Sequence, residues 1–385
     1  MPNDNLNLNL RSRSYLKRMA QKTEQPRWIA GVEPSKELLA MDGTQILEYE
    51  CREQPGKLRE LISAYKSDEE IHAQLRTMRD IAAKSAAPVI FIGMGGSLCS
   101  SISASIHLQA NGRSAFSVDA GEWLHYAQGV WKDAALSVLV TTSGESAELV
   151  EFMKQGTGGP MALICNNPAS PCWKLAEHRL PILAGPEYGN ATKTYTNSTA
   201  AGIILASEIL GRDWRADAEH TAGVLANDID RIFAMRGEME EFCRGAKNLE
   251  VIGRGGAYGA AFMGALTIRE MSGFRAAAHT GAGFKHGPNL DTDETHVAMI
   301  LAVGRAANLG VKLAAECNRK GGRVVLVSNE EHERTEKLLP VRIDAVAEPW
   351  EGITTLLVPQ ALTLGWIERN GCRLPPRFAY GVMEQ

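Results

Sequence analysis

The sequence predicts an α/β protein made of two copies of one unit, each a parallel sheet flanked by helices. Short apolar runs alternate along its 385 residues with longer segments of helical periodicity. A glycine cluster ends the first run of each copy, and the scheme starts again in the second half of the chain. Strands that are apolar on both faces and alternate with helices are typical of a parallel sheet covered on both sides.

The first copy follows a weakly patterned N-terminal arm, residues 1–45. Apolar positions between Thr44 and Tyr65 predict helices that are broken near Pro55. The run at residues 89–92 is the first predicted strand and ends in Gly93-Met94-Gly95-Gly96-Ser97. Further strands of this copy are predicted at residues 116–118, 136–140 and 161–164.

The second copy begins with a similar strand at residues 249–252, which runs into Gly253-Arg254-Gly255-Gly256. Later strands are predicted at residues 297–303 and 324–327. The intervening segment, residues 213–233, is charged and compatible with a helix, so it predicts a helical connection between packed domains. The predicted division is therefore an arm at 1–45, domains at 46–228 and 229–368, and a tail at 369–385.

Composition places the chain among ordinary globular proteins, with 44% hydrophobic and 22% charged residues. A formal charge of -4 argues against an electrostatic footprint for nucleic acid. Seven cysteines without a CxxC pair argue against a disulfide framework or a zinc site. The sequence shows neither a leader pattern nor an apolar stretch of bilayer length. We therefore expect a soluble cytoplasmic protein with no metal, no organic cofactor and no nucleic-acid or membrane partner.

Hydroxyl residues are concentrated where the predicted strand at residues 136–140 gives way to a helical pattern. Their order is Thr141-Thr142-Ser143-Gly144-Glu145-Ser146. Hydroxyls and free backbone N–H groups at a helix N-terminus suit a phosphate, whereas a helix cap alone requires one such residue. We expect Thr141, Thr142, Ser143 and Ser146 to bind an anionic group. Ser97 offers another hydroxyl at the end of the neighbouring strand.

The two glycine clusters also resemble part of a dinucleotide-binding motif. That motif requires a third small residue, and Leu98 and Tyr258 stand at this position in the first and second copy. Asp119, at the end of a second predicted strand, lies where a ribose-binding acid would be expected, so dinucleotide binding stays open as an alternative. The glycines of the second copy are explained by a tight strand-to-helix turn.

The second copy carries the acid-base candidates. Glu270 lies near the end of a predicted helix at residues 260–272, and a predicted glycine-rich loop at residues 280–288 presents Lys285 and His286. A histidine held in such a loop can titrate near neutrality. His279 and His296 lack comparable surroundings and are interpreted as structural.

These motifs occur together in one family. The T-T-S-G-E-S loop, then G-R-G, I-R-E and G-F-K-H-G-P, resembles the tandem sugar isomerase (SIS) family. Within it the chain is most similar to the isomerase half of glucosamine-6-phosphate synthase and to the aminosugar-phosphate deaminase/isomerase branch. The similarity extends from about Ile46 to the C-terminus and includes Glu53-Gln54-Pro55 and Gly185-Pro186-Glu187-Tyr188-Gly189. It implies two SIS domains of doubly wound, flavodoxin-like fold.

The resemblance also implies a role for each part of the site. Glu270 would move a proton between C1 and C2 of a sugar phosphate, and His286 would assist ring opening from the neighbouring subunit of a homodimer. A carboxylate and an imidazole can perform these two proton transfers. The resemblance assigns the sugar phosphate to Thr141, Ser143 and Ser146, with Ser97 nearby. We also expect Thr142, Thr192, Lys193 and Tyr380 to bind the substrate.

Departures from the family pattern narrow the reaction. Pro2 follows the initiator Met where the synthase has its glutaminase cysteine, so we expect no glutamine-dependent synthesis. Thr267 and Tyr380 replace two lysines of the synthase. The sequence therefore predicts a phosphosugar isomerase for an amino-sugar or hexose 6-phosphate, with ammonia release as an open variant. A fructosamine 6-phosphate deglycase and a non-catalytic sugar-phosphate-binding regulator are the alternatives, and the presence of both Glu270 and His286 disfavours the regulator.

Overall fold

The computed structural model describes residues 35–156 and 158–374, which form two five-stranded parallel sheets. The strands of the first sheet are β1 (Val89–Gly93), β2 (Ala115–Asp119), β3 (Leu136–Thr141), β4 (Met161–Cys165) and β5 (His178–Pro181). Their spatial order is β2-β1-β3-β4-β5, and all neighbouring pairs are parallel. β1 and β3 are buried along their whole length, as their uninterrupted apolar runs predict.

The second sheet repeats this arrangement. Its strands are β6 (Asn248–Gly253), β7 (Ala276–Thr280), β8 (His296–Ala302), β9 (Arg323–Ser328) and β10 (Leu338–Arg342). Read from one edge, the order is β7-β6-β8-β9-β10, which matches the first sheet strand for strand. This 2-1-3-4-5 order is the flavodoxin-like form of the doubly wound fold, so the predicted fold class is confirmed in both halves.

Helices cover both faces of the two sheets. Those up to the first long connection are α1 (Lys36–Leu39), α2 (Gly43–Ser67), α3 (Glu69–Ala83), α4 (Gly96–Ala110), α5 (Ala120–Tyr126), α6 (Ala147–Gln155), α7 (Pro171–Leu175) and α8 (Lys193–Leu210). The later ones are α9 (Arg215–Ala234), α10 (Arg236–Cys243), α11 (Ala257–Ser272), α12 (Gly281–Lys285), α13 (Ala307–Arg319), α14 (Glu351–Thr354) and α15 (Leu357–Asn370). Short 3-10 helices occupy Gln128–Asp133, Pro288–Asp291 and Gly304–Ala306.

Helix α2 runs without interruption through Pro55, so the predicted break at that proline is wrong. A proline inside a helix leaves the carbonyl four residues earlier without its N–H donor. Here that carbonyl belongs to Cys51, and the side-chain Nε2 of Gln54 donates to it at 3.0 Å. The neighbouring glutamine thus supplies the missing donor, and the helix continues.

Helices α4 and α11 join the two halves. A Cβ atom added at Gly259 of α11 would lie 2.6 Å from the carbonyl oxygen of Cys99 in α4. One turn along, Ser103 Oγ donates to the carbonyl of Gly256 at 3.3 Å. Position 99 therefore faces position 259 and position 103 faces 256, which means that the two helices are antiparallel. One hydrophobic core cluster continues across this contact and includes residues of both sheets.

The predicted boundary at residue 228 falls within α9, which packs against α2 and α15. This long helix lies in the segment for which the sequence predicts a helical connection. Of the predicted N-terminal arm, only residues 35–45 are described, and they contain α1 and the first turn of α2. The exact division into domains stays a prediction.

Candidate functional site

The loop from Thr141 to Ser146 lies at the C-terminal end of β3, beside the glycine turn that ends β1. Gly144 allows its tight course, since its φ is +67° and an added Cβ would lie 2.1 Å from Ser170 Oγ. The carbonyl of Gly144 also accepts the backbone N–H of Cys172 at 3.1 Å. The segment at residues 170–172 therefore supports the loop, which lies at the edge where open α/β sheets bind ligands.

Hydroxyl groups in this loop leave their protons for a ligand. Thr141 Oγ1 accepts the N–H of Gly144 at 3.1 Å, and Ser143 Oγ accepts the N–H of Glu145 at 3.2 Å. A hydroxyl that accepts in this way still has its own O–H to donate. Ser146 precedes α6 without making a side-chain cap. Thr141 is buried, whereas Ser143 and Ser146 are half-buried at the start of a helix, where hydroxyl donors suit an anion.

Thr142 and Ser97 complete the predicted set at this edge. Both are half-buried, Thr142 within the loop and Ser97 in the first turn of α4. Asp119, the acid of the dinucleotide alternative, caps α5 instead. Its carboxylate accepts the N–H groups of Gly121 and Glu122 at 2.9 and 3.2 Å, so the observation that kept this alternative open has a structural explanation.

Helix α11 carries Glu270 toward the same edge of the first sheet. Gly96, at the start of α4, faces Met263, whose Sδ would lie 3.3 Å from a Cβ at this glycine. Because α4 and α11 are antiparallel, α11 continues past the start of α4 and beyond the C-terminal ends of β1 and β3. Glu270 follows Met263 by two helical turns, about 10 Å along the axis. Glu270 and the hydroxyl loop therefore lie toward the same edge of the first sheet.

Asn190 binds the Glu270 side chain from the segment before α8. Its Nδ2 donates to Glu270 Oε2, and its Oδ1 accepts the hydroxyl of Thr267 at 2.9 Å. Asn190 and Thr267 are both buried, whereas Glu270 is exposed. Sequence reasoning missed Asn190, because its only signal was a position just after the Gly185–Gly189 motif.

Thr192 and Lys193 are fully buried and directed toward acidic side chains. Thr192 donates through its N–H and Oγ1 to Glu187 at 2.9 and 2.8 Å, and Lys193 forms an ion pair with Glu53. These contacts use the groups that were expected to meet a substrate. In this structure the two residues support the segment that carries Asn190.

Buried Glu50 also supports this segment by accepting the N–H groups of Tyr188 and Gly189. Burial and, next, the negative charge of Glu187 raise the pKa of Glu50 well above its ordinary value. Glu50 was not predicted as functional, and its position within an apolar helix pattern was the one available signal.

His286 lies at the opposite end of the second sheet from Glu270. The prediction of a glycine-rich loop here is wrong, since residues 281–285 form α12, which Thr280 caps by accepting the N–H of Gly283 at 3.0 Å. Phe284 is fully buried and fixes this helix to the sheet. α11 ends before β7 begins and His286 follows β7, so the length of a short strand, about 16 Å, separates the two candidates within one chain.

His279 and His296 belong to the packing under α12. Their rings flank that of Phe284, with centroid separations of 5.9 and 6.0 Å. His279 Nε2 lies 2.7 Å from Glu250 Oε2, and burial lowers the pKa of His296. Both contacts agree with the structural interpretation of these two histidines.

The equivalent edge of the second sheet is filled by the protein's own carboxylates. Gly304, after β8, lies so close to Glu351 that an added Cβ would be 2.1 Å from its Oε1. Glu348 accepts the backbone N–H of Arg305 at 2.7 Å. Two acidic side chains, Glu348 and Glu351, therefore lie against the loop that corresponds to the hydroxyl loop of the first half.

A cavity of about 850 Å³ adjoins the C-terminal end of α11. It lies between the start of α2 and the residues after α15, where the N–H of Arg373 donates to the carbonyl of Met271 at 2.7 Å. Tyr380, the remaining predicted substrate-binding residue, lies outside the described residues. Within the described ranges, no group of three or more His, Cys, Asp or Glu could hold a metal ion.

The family model for the SIS domain matches residues 83–207 and again residues 243–365. The chain belongs to the SIS domain family. Each matched region contains one of the two sheets, and the first contains the hydroxyl loop. None of the described helices of this SIS protein is both long and apolar enough to span a membrane.

Sequence relatives of this SIS protein include two glutamine–fructose-6-phosphate aminotransferases (isomerizing). The one from Zymomonas mobilis is 27% identical over 255 residues, which cover 63% of this chain and 42% of the relative. The one from Sulfurisphaera tokodaii is 26% identical over 282 residues, which cover 72% and 46%. The chain spans about half the length of the curated relatives that it matches.

Solved structures show the same fold. The C-terminal domain of glucosamine-fructose-6-phosphate aminotransferase from Francisella tularensis superposes with a TM-score of 0.76 at 19% identity, covering 89% of this chain and 99% of that one. Tagatose-6-phosphate ketose/aldose isomerase from Escherichia coli gives a TM-score of 0.69 at 18% identity, covering 88% and 95%.

Proposed function

We propose that this SIS protein is a phosphosugar isomerase that acts on an amino-sugar or hexose 6-phosphate. The observation that carries the proposal is the convergence of Glu270 and the Thr141–Ser146 loop at one edge of the first sheet. The names of the relatives, an isomerizing aminotransferase and a ketose/aldose isomerase, support the same class of reaction.

The loop would hold the phosphate while Glu270 acts as the base. The carboxylate takes the proton from one of the two carbons C1 and C2, which gives an enediolate; a proton passes between O1 and O2, and the carboxylic acid returns its proton to the other carbon. A carboxylate held by a buried amide is suited to this transfer, because its position is set before the substrate arrives.

Ring opening would use His286 from a second copy of the chain. Glu270 and His286 lie at opposite ends of the second sheet, so a single chain does not bring them into one site. A homodimer in which α12 of one subunit reaches the crevice of the other would complete the constellation, with two equivalent shared sites.

Ammonia release from a 2-amino sugar phosphate is the second candidate. Thr267, which replaces a lysine of the synthase, donates its hydroxyl to Asn190 at 2.9 Å. The residue at this position offers no amine for an imine with the substrate. This favours a substrate that already carries its nitrogen or its carbonyl.

The proposal is tested by hydrogen exchange in D₂O with fructose 6-phosphate, tagatose 6-phosphate, glucosamine 6-phosphate and a fructosamine 6-phosphate. We expect deuterium at C1 or C2 of at least one of them, and an ammonia assay on the same samples separates isomerisation from deamination. Glu270→Gln should abolish the exchange and leave binding of the phosphate ester intact, as measured by calorimetry. Binding of an ester with no exchange in the wild type would contradict an isomerase, and full turnover by the variant would contradict the role assigned to Glu270.

A further inference from the structure

Asn190 is a buried side chain in the segment between β5 and α8, and it connects two residues of α11. It is 1% exposed, so both ends of its amide must find partners within the protein. The partners are Thr267 and Glu270, which are three residues apart and therefore lie on the same face of the helix. The first half of the chain thus touches the candidate base of the second half directly.

The chemistry of the partners fixes the orientation of the Asn190 amide. An ionised carboxylate can only accept hydrogen bonds, so the NH₂ group must face Glu270. The amide oxygen then faces Thr267, whose hydroxyl donates to it at 2.9 Å. A reversed amide would place oxygen against carboxylate and lose both bonds.

Buried acids hold the backbone on both sides of Asn190. Before it, Gly189 donates its N–H to Glu50 at 3.0 Å, and after it, Thr192 and Thr194 donate theirs to Glu187 at 2.9 and 3.1 Å. These acids belong to the interior and leave the segment little freedom. The Asn190 amide that donates to Glu270 is therefore held by a well-anchored backbone segment.

We propose that Asn190 is a positioning residue that fixes the Glu270 carboxylate for proton transfer, with Thr267 setting the orientation of the amide. The proposal rests on the proposed function, in which Glu270 is the base. Positioning of this kind affects kcat more than binding, because a misplaced base still allows the phosphate to enter its loop.

Asn190→Asp is the decisive variant. A second carboxyl group beside Glu270 disfavours its ionised form, so the acidic limb of the kcat profile should move to higher pH by about one unit or more. At acidic pH the kcat of the variant should be about tenfold or more below that of the wild type. Binding of the phosphate ester, measured by calorimetry, should change less than threefold. An unchanged limb would overturn the proposal.

Asn248→Asp is the matched control. Asn248 Nδ2 also donates to a carboxylate, Glu250 Oε1 at 2.9 Å, at the start of β6. This variant creates the same acidic pair in the second sheet and should leave the pH profile unchanged. A limb that moved equally in both variants would show a general effect of added charge and would count against the role of Asn190.

Thr267 provides a second test that does not add charge. Thr267→Val removes the hydroxyl and should lower kcat about tenfold, while Thr267→Ser keeps it and should restore most of the activity. Equal activity of the two variants would overturn the orienting role. If the wild type exchanges no proton with any sugar phosphate, the proposed function fails; if it does and these variants behave like the wild type, only the positioning role fails.

Discussion

Gly259 lies against the backbone of Cys99, and no side chain separates the two helices at this point. An added Cβ would come within 2.6 Å of the Cys99 carbonyl oxygen, a distance that real Cβ contacts do not reach. The contact sets how closely α11 approaches α4. It therefore helps to determine where Glu270 lies relative to the Thr141–Ser146 loop.

Gly259→Ala should force the helices apart. We expect a loss of stability of about 1–3 kcal/mol from overpacking and a fall in kcat, because the end of α11 moves relative to the phosphate loop. Gly223→Ala in α9 is the control, since a Cβ there meets nothing within 4 Å and removal of a helix glycine should stabilise by about 0.5–1 kcal/mol. Urea unfolding measures both, and equal stability of the two variants would contradict the close crossing.

Ser146 should contribute to affinity and not to stability, because its side chain makes no cap at α6. Ser146→Ala is expected to weaken binding of a sugar phosphate about tenfold by loss of one hydrogen bond to a charged group. Asp68→Ala is the opposite case. Asp68 caps α3 by accepting the N–H of Glu70 at 2.8 Å, so its loss should cost about 1 kcal/mol of stability and leave affinity unchanged.

Calorimetric titration and thermal unfolding of these two variants give four values. A stability loss without an affinity loss in Ser146→Ala would assign its hydroxyl an ordinary capping role, and an affinity loss in Asp68→Ala would show that the loss of a helix cap is enough to weaken binding.

Two inactive variants should restore activity when they are combined, if each site takes Glu270 from one subunit and His286 from the other. Glu270→Gln and His286→Ala are mixed, unfolded and refolded together. Random pairing makes half of the dimers mixed, and each mixed dimer has one intact site, so about a quarter of the wild-type activity is expected. Each variant refolded alone is the control. Activity no higher than these controls would show that the two residues act within one chain.

Stability should fall as the pH rises toward 8, because Glu351 is buried at the edge of the second sheet. Burial and, next, the charge of Glu348 raise its pKa to about 8. A carboxyl whose folded pKa lies above its unfolded value favours folding at low pH, and this contribution is lost as the pH rises from about 4.5 through the folded pKa. Its Oε1 has no partner among the described residues, so ionisation there is poorly compensated.

Glu351→Gln removes this titration and should flatten the pH dependence. Between pH 5 and 8 the wild type should lose on the order of 2 kcal/mol more than the variant, after allowance for relaxation around the ionised group. Urea unfolding at a series of pH values measures the difference. Identical slopes in the two proteins would mean that Glu351 is ionised in the folded state at neutral pH.

The fold class could be predicted from local patterns because seven of the ten described strands, all except β5, β7 and β10, coincide with predicted apolar runs. Val89–Gly93 and Leu136–Thr141 are largely apolar and are buried on both faces, which is typical of a covered parallel sheet. The Thr141–Ser146 loop could be predicted for a related reason, since its hydroxyls, its glycine and the following helix are contiguous in the chain.

Interactions between distant segments could not be predicted in this way. The sequence predicted a helix break at Pro55, but Gln54 donates to the carbonyl that the proline leaves without a donor. Lys193 forms an ion pair with Glu53 of α2, a partner that the sequence did not predict. In each case the packing of the folded chain determines the partner, and the local sequence pattern does not reveal it.

The sequence by itself determined the doubled α/β architecture, the hydroxyl loop and the candidates Glu270 and His286, because strand periodicity, glycine turns and short motifs are local properties. Only the tertiary structure decided that Glu270 lies toward the same edge of the first sheet as the loop, that Asn190 donates to its carboxylate, and that His286 lies at the other end of the second sheet. These relationships depend on the antiparallel contact of α4 with α11 and on the length of β7, which set distances between segments that are far apart in the chain.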